Sequence, residues 1–119
     1  MSRRLTATGA LIAAAAVGLG AFGAHALKDR LDTEAIGWWQ TATFYLLTHA
    51  VAAVAIGLAK RPRLALAGGL LAGGSLLFAV TLYAMALGLP RWLGAITPLG
   101  GTAMIAGWLL LAWRALREG

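Results

Sequence analysis

The stretch LALAGGLLAGGSLLFAVTLYAMAL, residues 64–87, decides the fold, because it runs for 24 residues without a charged side chain. A helix rising about 1.5 Å per residue needs about 20 such residues to cross about 30 Å of hydrocarbon. The run also lacks the strict alternation by which a barrel strand turns one face to lipid and the other to a lumen. Since a bilayer admits only helices and closed barrels, the stretch reads as a transmembrane helix.

Three similar runs appear on either side of it, Leu5 to Leu27, Trp38 to Ala59, and one that starts at Leu93 or Pro98 and ends at Leu116. The expected architecture is therefore all-α, a polytopic four-transmembrane-helix bundle in a single membrane domain. Its helices are expected over 5–27, 38–59, 64–87 and 93–116, with an outer polar loop over 28–37. Bulk composition agrees: 61% hydrophobic, 12% charged and a mean hydropathy of +0.80 over 119 residues describe a chain whose solvent is lipid. A net charge of +6 would suit nucleic acid, but the basic residues sit in short clusters between apolar runs. Nucleic acid is accordingly discarded as a partner, and the lipid bilayer takes its place.

Those clusters write a topology. Arg3, Arg4, Lys60, Arg61, Arg63, Arg114 and Arg117 fall on one side, against Lys28, Arg30 and Arg91 on the other. The positive-inside rule then puts both termini and the short middle loop in the cytoplasm. The expected localisation is multi-pass in the bacterial inner membrane. Trp38, Trp39 and Trp92 are expected at the outer interface and Trp113 at the inner one, with Trp108 deeper in helix four. Pro62 suits a tight turn between helices two and three.

The segment Lys28 to Glu34 holds three of the four acidic residues, and Asp32 or Thr33 is suited to cap a short interfacial helix leading into Trp38. Met1 to Ala26 also has the outline of a signal peptide, with Ala24-His25-Ala26 as its cleavage site. Its apolar run is longer than the usual 7–15 residues, roughly, of such a segment, which favours retention.

In lipid, helices associate through small residues and a few polar contacts, because hydrocarbon gives apolar faces no reason to leave it. Gly69 and Gly73 form a GxxxG, and Gly68, Ala72, Ser75 and Ala79 make a small-residue stripe on the same helix. Such faces serve tight contacts within one chain, between chains, or both. In helix two, Thr41, Tyr45 and His49 recur every four residues with Thr48 beside them, a polar stripe expected to face the bundle interior. Thr97-Pro98-Leu99-Gly100-Gly101 has two readings. Thr97 caps helix four with Pro98 at its first position, or Pro98 interrupts a helix already begun at Leu93. Under either, adjacent glycines at a helix start leave N–H groups open to an anion.

Chemistry in the spans is sparse. Absence of Cys removes thiolate catalysis, disulfides and cysteine metal sites, and no acidic residue lies inside a span. No paired carboxylate, HExxH or nucleophile setting is present, so neither enzymatic activity nor a cofactor is expected. His25 and His49 differ in depth by roughly 10 Å, which disfavours a shared metal or haem in a straight bundle. A proton or solute path along Tyr45, Thr48, His49 and Tyr83 is the functional alternative to a structural role.

The string Gly20-Ala21-Phe22-Gly23-Ala24-His25-Ala26-Leu27 is followed by Tyr45-x-x-x-His49-Ala50, Leu82-Tyr83, Thr97-Pro98-Leu99-Gly100-Gly101 and Gly107-Trp108. Together these resemble the small membrane proteins catalogued as domain of unknown function 423, similar to animal transmembrane protein 256. The resemblance implies a four-span protein and assigns no activity. It nominates His25, Tyr45, His49, Tyr83, Thr97 and Pro98 as positions matching the family pattern. The expectation for function is a structural or accessory bundle that forms a homo-oligomer or docks on a larger membrane complex. A small channel or carrier around His49 is the alternative, and a haem or metal protein the lesser one.

Overall fold

The structure is a computed structural model and describes residues 2–118. Four helices run Ser2–His25 (α1), Thr33–Ala59 (α2), Ala65–Ala86 (α3) and Thr97–Glu118 (α4). Among the described residues all four are long and apolar enough to cross a membrane. Each packs on its neighbour in the chain, α1 on α2, α2 on α3 and α3 on α4, as short connections dictate. The bundle measures 50 × 26 × 17 Å, so its cross-section is oblong. The inner pair α2 and α3 is the more buried, while α1 and α4 form the flanks.

The packing inverts the rule for water-soluble bundles. Apart from Leu71, the fully buried positions are small, with Ala16, Ala42, Ala50, Ala53, Ala67, Ser75 and Ala79 at 0% exposure, while Leu11, Val51, Leu58, Val80, Ile105 and Leu109 point outward. In water such a surface would aggregate. In hydrocarbon it is neutral, and the small interior lets helix backbones approach.

Two boundaries differ from expectation, each for a local reason. Helix α2 begins at Thr33 rather than Trp38, since the Asp32 side chain accepts the Ala35 N–H at 2.8 Å and caps it there. There is no separate interfacial helix, and the polar loop shrinks to residues 26–32. Helix α4 begins at Thr97, with Pro98 in the first turn, where a missing N–H costs nothing. The 3-10 helix Arg91–Ala95 precedes it, so the reading of a helix begun at Leu93 and broken by Pro98 is corrected.

The α2–α3 turn carries one strained residue. Lys60 closes α2 at φ 55°, ψ 38°, the left-handed region in which a Cβ crowds the following carbonyl. Lys60→Gly is expected to stabilise the fold by about 0.5–1 kcal/mol, read as a higher melting temperature in detergent.

Basic residues gather at one end. Arg3 and Lys60 line one surface cleft there, and Arg114 donates to the Arg63 carbonyl at 2.6 Å. The opposite end carries the acidic loop, where Arg91 pairs with Glu34 and lies 5.1 Å from the centre of the Trp38 ring.

Candidate functional site

The intramembrane polar groups form a set of ties, most of them linking neighbouring helices. Between α1 and α2, the Trp39 indole N–H donates to the Leu19 carbonyl at 2.7 Å, and Trp39 is only 3% exposed. Its ring lies over Gly23, where any Cβ would collide with it. Trp39 is therefore a buried cross-helix donor, turned into the bundle rather than toward its surface. Between α2 and α3, Thr43 Oγ1 and Tyr83 Oη share a hydrogen bond of 2.7 Å, with Thr43 also bonded to the Trp39 carbonyl at 3.0 Å. Tyr83 packs on Trp39 with ring centres 4.4 Å apart. Between α3 and α4, Thr81 and Thr97 hydroxyls meet at 2.7 Å in the interior.

The fourth tie joins α2 to α4 near mid-helix. Trp108 Nε1 lies 3.0 Å from His49 Nε2, and His49 Nδ1 lies 2.7 Å from the Tyr45 carbonyl and 3.2 Å from Thr48 Oγ1. An indole nitrogen only donates, so Nε2 must accept and the ring proton must sit on Nδ1. The geometry therefore holds a neutral imidazole with both nitrogens engaged. Protonating Nε2 would set two donors face to face, and a metal there would displace Trp108. Tyr45 stacks on the imidazole at 20° and meets Phe78 at 4.9 Å between ring centres, so an aromatic wall flanks the tie.

The positions singled out from sequence divide accordingly. His49, Tyr83, Thr97 and Ser75 are buried; Ser75 donates to its own helix at the Ala72 carbonyl, 3.0 Å away. Thr48 is exposed and bonds back to the Phe44 and Tyr45 carbonyls. The stripe does not stay inside as expected. It passes from buried His49 through Tyr45, 38% exposed, to exposed Thr41, because residues four apart drift around the helix by about 40° per step. His25 is exposed at the end of α1 and is not brought to His49. Among the described residues no cluster of His, Cys, Asp and Glu suits a metal ion.

The small residues of α3 divide between two faces. Gly69 and Gly73 face outward with open space where their Cβ atoms would be, so they do not mediate packing within the chain. Ala72 is buried, and the close approach of α3 to α4 is made by Gly74 against Gly100. Gly100 is thus committed to a helix contact, and the Thr97 hydroxyl is spent on Thr81 and the Leu93 carbonyl.

Missed from sequence were Trp39, Thr43, Thr81 and Trp108. Each carries a donor within an apolar run, and a donor in hydrocarbon must find an acceptor. That rule was the one usable signal, most of all for Trp108, whose depth in helix four excluded the interface.

An inside-out apolar bundle with internally satisfied polar groups defines an all-α polytopic membrane protein. The chain matches the family model described as "Protein of unknown function (DUF423)" over residues 19–101. It is 44% identical over 112 residues to a UPF0382 membrane protein of Staphylococcus epidermidis, covering 92% of each chain. It is 39% identical over 114 residues to the UPF0382 membrane protein YwdK of Bacillus subtilis, covering 92% of this chain and 93% of that one. To the UPF0382 inner membrane protein YgdD of Escherichia coli K12 it is 36% identical over 105 residues, 85% and 80% of the two chains. The chain belongs to the DUF423 (UPF0382) family of membrane proteins. No solved structure matches it.

Proposed function

We propose that this protein is a non-catalytic structural or accessory bundle of the inner membrane that self-associates or docks on a larger membrane complex. The observation that carries the reading is His49, whose two ring nitrogens are both occupied in tying α2 to α4. A residue poised for proton transfer or ligation keeps one nitrogen for its partner. Among the described residues no buried side-chain nitrogen or oxygen lacks a hydrogen bond, as a scaffold requires.

Crosslinking in native membranes tests it, with recovery of a dimer or a heteromeric adduct expected and monomer alone overturning it. The outward Gly69 and Gly73 make that test specific. Replacing both with Leu is expected to cost no stability, since nothing within the chain meets the new side chains and helix propensity rises. Loss of a crosslink with retained fold would place the contact between chains.

The end carrying Arg3, Lys60, Arg63 and Arg114 is assigned to the cytoplasm by the positive-inside rule. A C-terminal green fluorescent protein fusion is expected to fluoresce and an alkaline phosphatase fusion there to be inactive; the reverse result would invert the topology.

One observation favours a second reading, a small channel or carrier. Tyr45, His49, Phe78, Met104 and Trp108 line a cleft of about 330 Å³ between α2, α3 and α4. Flux through reconstituted vesicles that His49→Ala abolishes would support it.

A further inference from the structure

Between α1 and α2 lies a second open cleft, of about 310 Å³, lined by Gly20, Gly23 and Ala24 on one side and Trp39, Gln40 and Phe44 on the other. It continues past Gly23, Ala24 and Gln40 into a space of about 400 Å³ that reaches Lys28. Its chemistry changes along its length. The part toward Phe44 is mostly apolar, with Thr43 among its lining residues, while the part toward Lys28 ends on an ammonium and on the Gln40 carboxamide. Gln40 is exposed and has no hydrogen-bond partner among the described residues.

By count the charges at this end balance, Lys28, Arg30 and Arg91 against Asp29, Asp32 and Glu34, but Glu34 pairs with Arg91 and Asp32 caps α2, and no ion pair among the described residues engages Lys28. Lys28 follows Gly23 by five residues and lies in the turn after α1 ends at His25, so the cleft runs from the helix face up to the connecting loop. A cleft with a cationic, hydrogen-bonding mouth at the membrane surface and an apolar floor below it has the polarity profile of an anionic phospholipid.

We infer that the α1–α2 cleft is a binding site for one phospholipid with an anionic headgroup, its phosphate held by Lys28 and Gln40 and an acyl chain laid along Gly20, Gly23 and Phe44. This goes beyond the accessory role and does not depend on it.

Native mass spectrometry of the intact protein in detergent, titrated with phosphatidylglycerol or with phosphatidylethanolamine of the same chains, tests the assignment. One phosphatidylglycerol is expected to be retained in preference. Lys28→Ala should weaken its retention about tenfold, the worth of one charge-assisted contact, with Lys28→Arg preserving it. Arg30→Ala, outside the cleft, should leave it unchanged. Ala24→Trp, an exposed position filled by a large ring, should exclude both lipids while circular dichroism shows helices intact. Equal retention of both lipids by the native protein, or equal losses from Lys28→Ala and Arg30→Ala, would overturn the site.

Discussion

Gly100→Val is expected to destabilise the bundle by about 3 kcal/mol or more, the largest effect of any single substitution considered for this chain, while Gly101→Val stays within about 0.5 kcal/mol. The two residues are adjacent on α4, and the helix-propensity gain from losing Gly is the same at both. They differ in what a Cβ meets. At Gly100 it would lie 2.5 Å from the Phe78 backbone nitrogen and 2.6 Å from the Gly74 carbonyl oxygen, both on α3. Backbone cannot rotate aside as a side chain can, so α4 must move away from α3. At Gly101 the nearest atom, Phe78 Cδ1, is 4.0 Å off. Moving α4 also parts Thr97 from Thr81 and Trp108 from His49, which adds the loss of two internal hydrogen bonds. Equilibrium unfolding of both variants in the same detergent decides the point. Similar losses at the two positions would refute the view that backbone contact at Gly100 sets the α3–α4 distance.

That pair also shows what sequence makes legible. The spans were readable because the hydrocarbon thickness imposes a length, and an uncharged run as long as residues 64–87 is seldom anything but a span. Which glycine packs was not. Gly69-Gly73 and Gly74-Gly100 are equivalent in composition, and only the rotation of α3 about its axis puts Gly74 inward. In water a hydrophobic stripe would have fixed that rotation. Here both faces are apolar, so the periodic signal that orients soluble helices is absent. The helix-two stripe failed for a related reason: Tyr45 and His49 were correctly seen to share a face, but Thr43, off that face, makes the hydrogen bond to Tyr83. Loop polarity likewise concealed the start of α2, because residues 33–37 follow a good cap yet look like connector.

The His49–Trp108 tie is where the structural and conducting readings make opposite predictions. Removing the donor with Trp108→Phe strands a buried acceptor in the span, with an expected cost of about 1–2 kcal/mol. His49→Leu removes the acceptor and strands the indole N–H, with a similar cost. The double variant is expected to lose less than the sum, by a coupling of about 1 kcal/mol, since neither group then lacks a partner it was built to have. Gln is the informative replacement, because its carbonyl oxygen reaches about where Nε2 stands and accepts from Trp108, but it does not titrate. If His49 is a tie, His49→Gln recovers most of the stability lost in His49→Leu, and vesicles carrying native protein or variant show the same absence of proton flux. If His49 carries protons, the native protein conducts and the Gln variant is stable but silent. The two outcomes separate cleanly because the substitution preserves the hydrogen bond to α4 and removes only the ring's capacity to change charge.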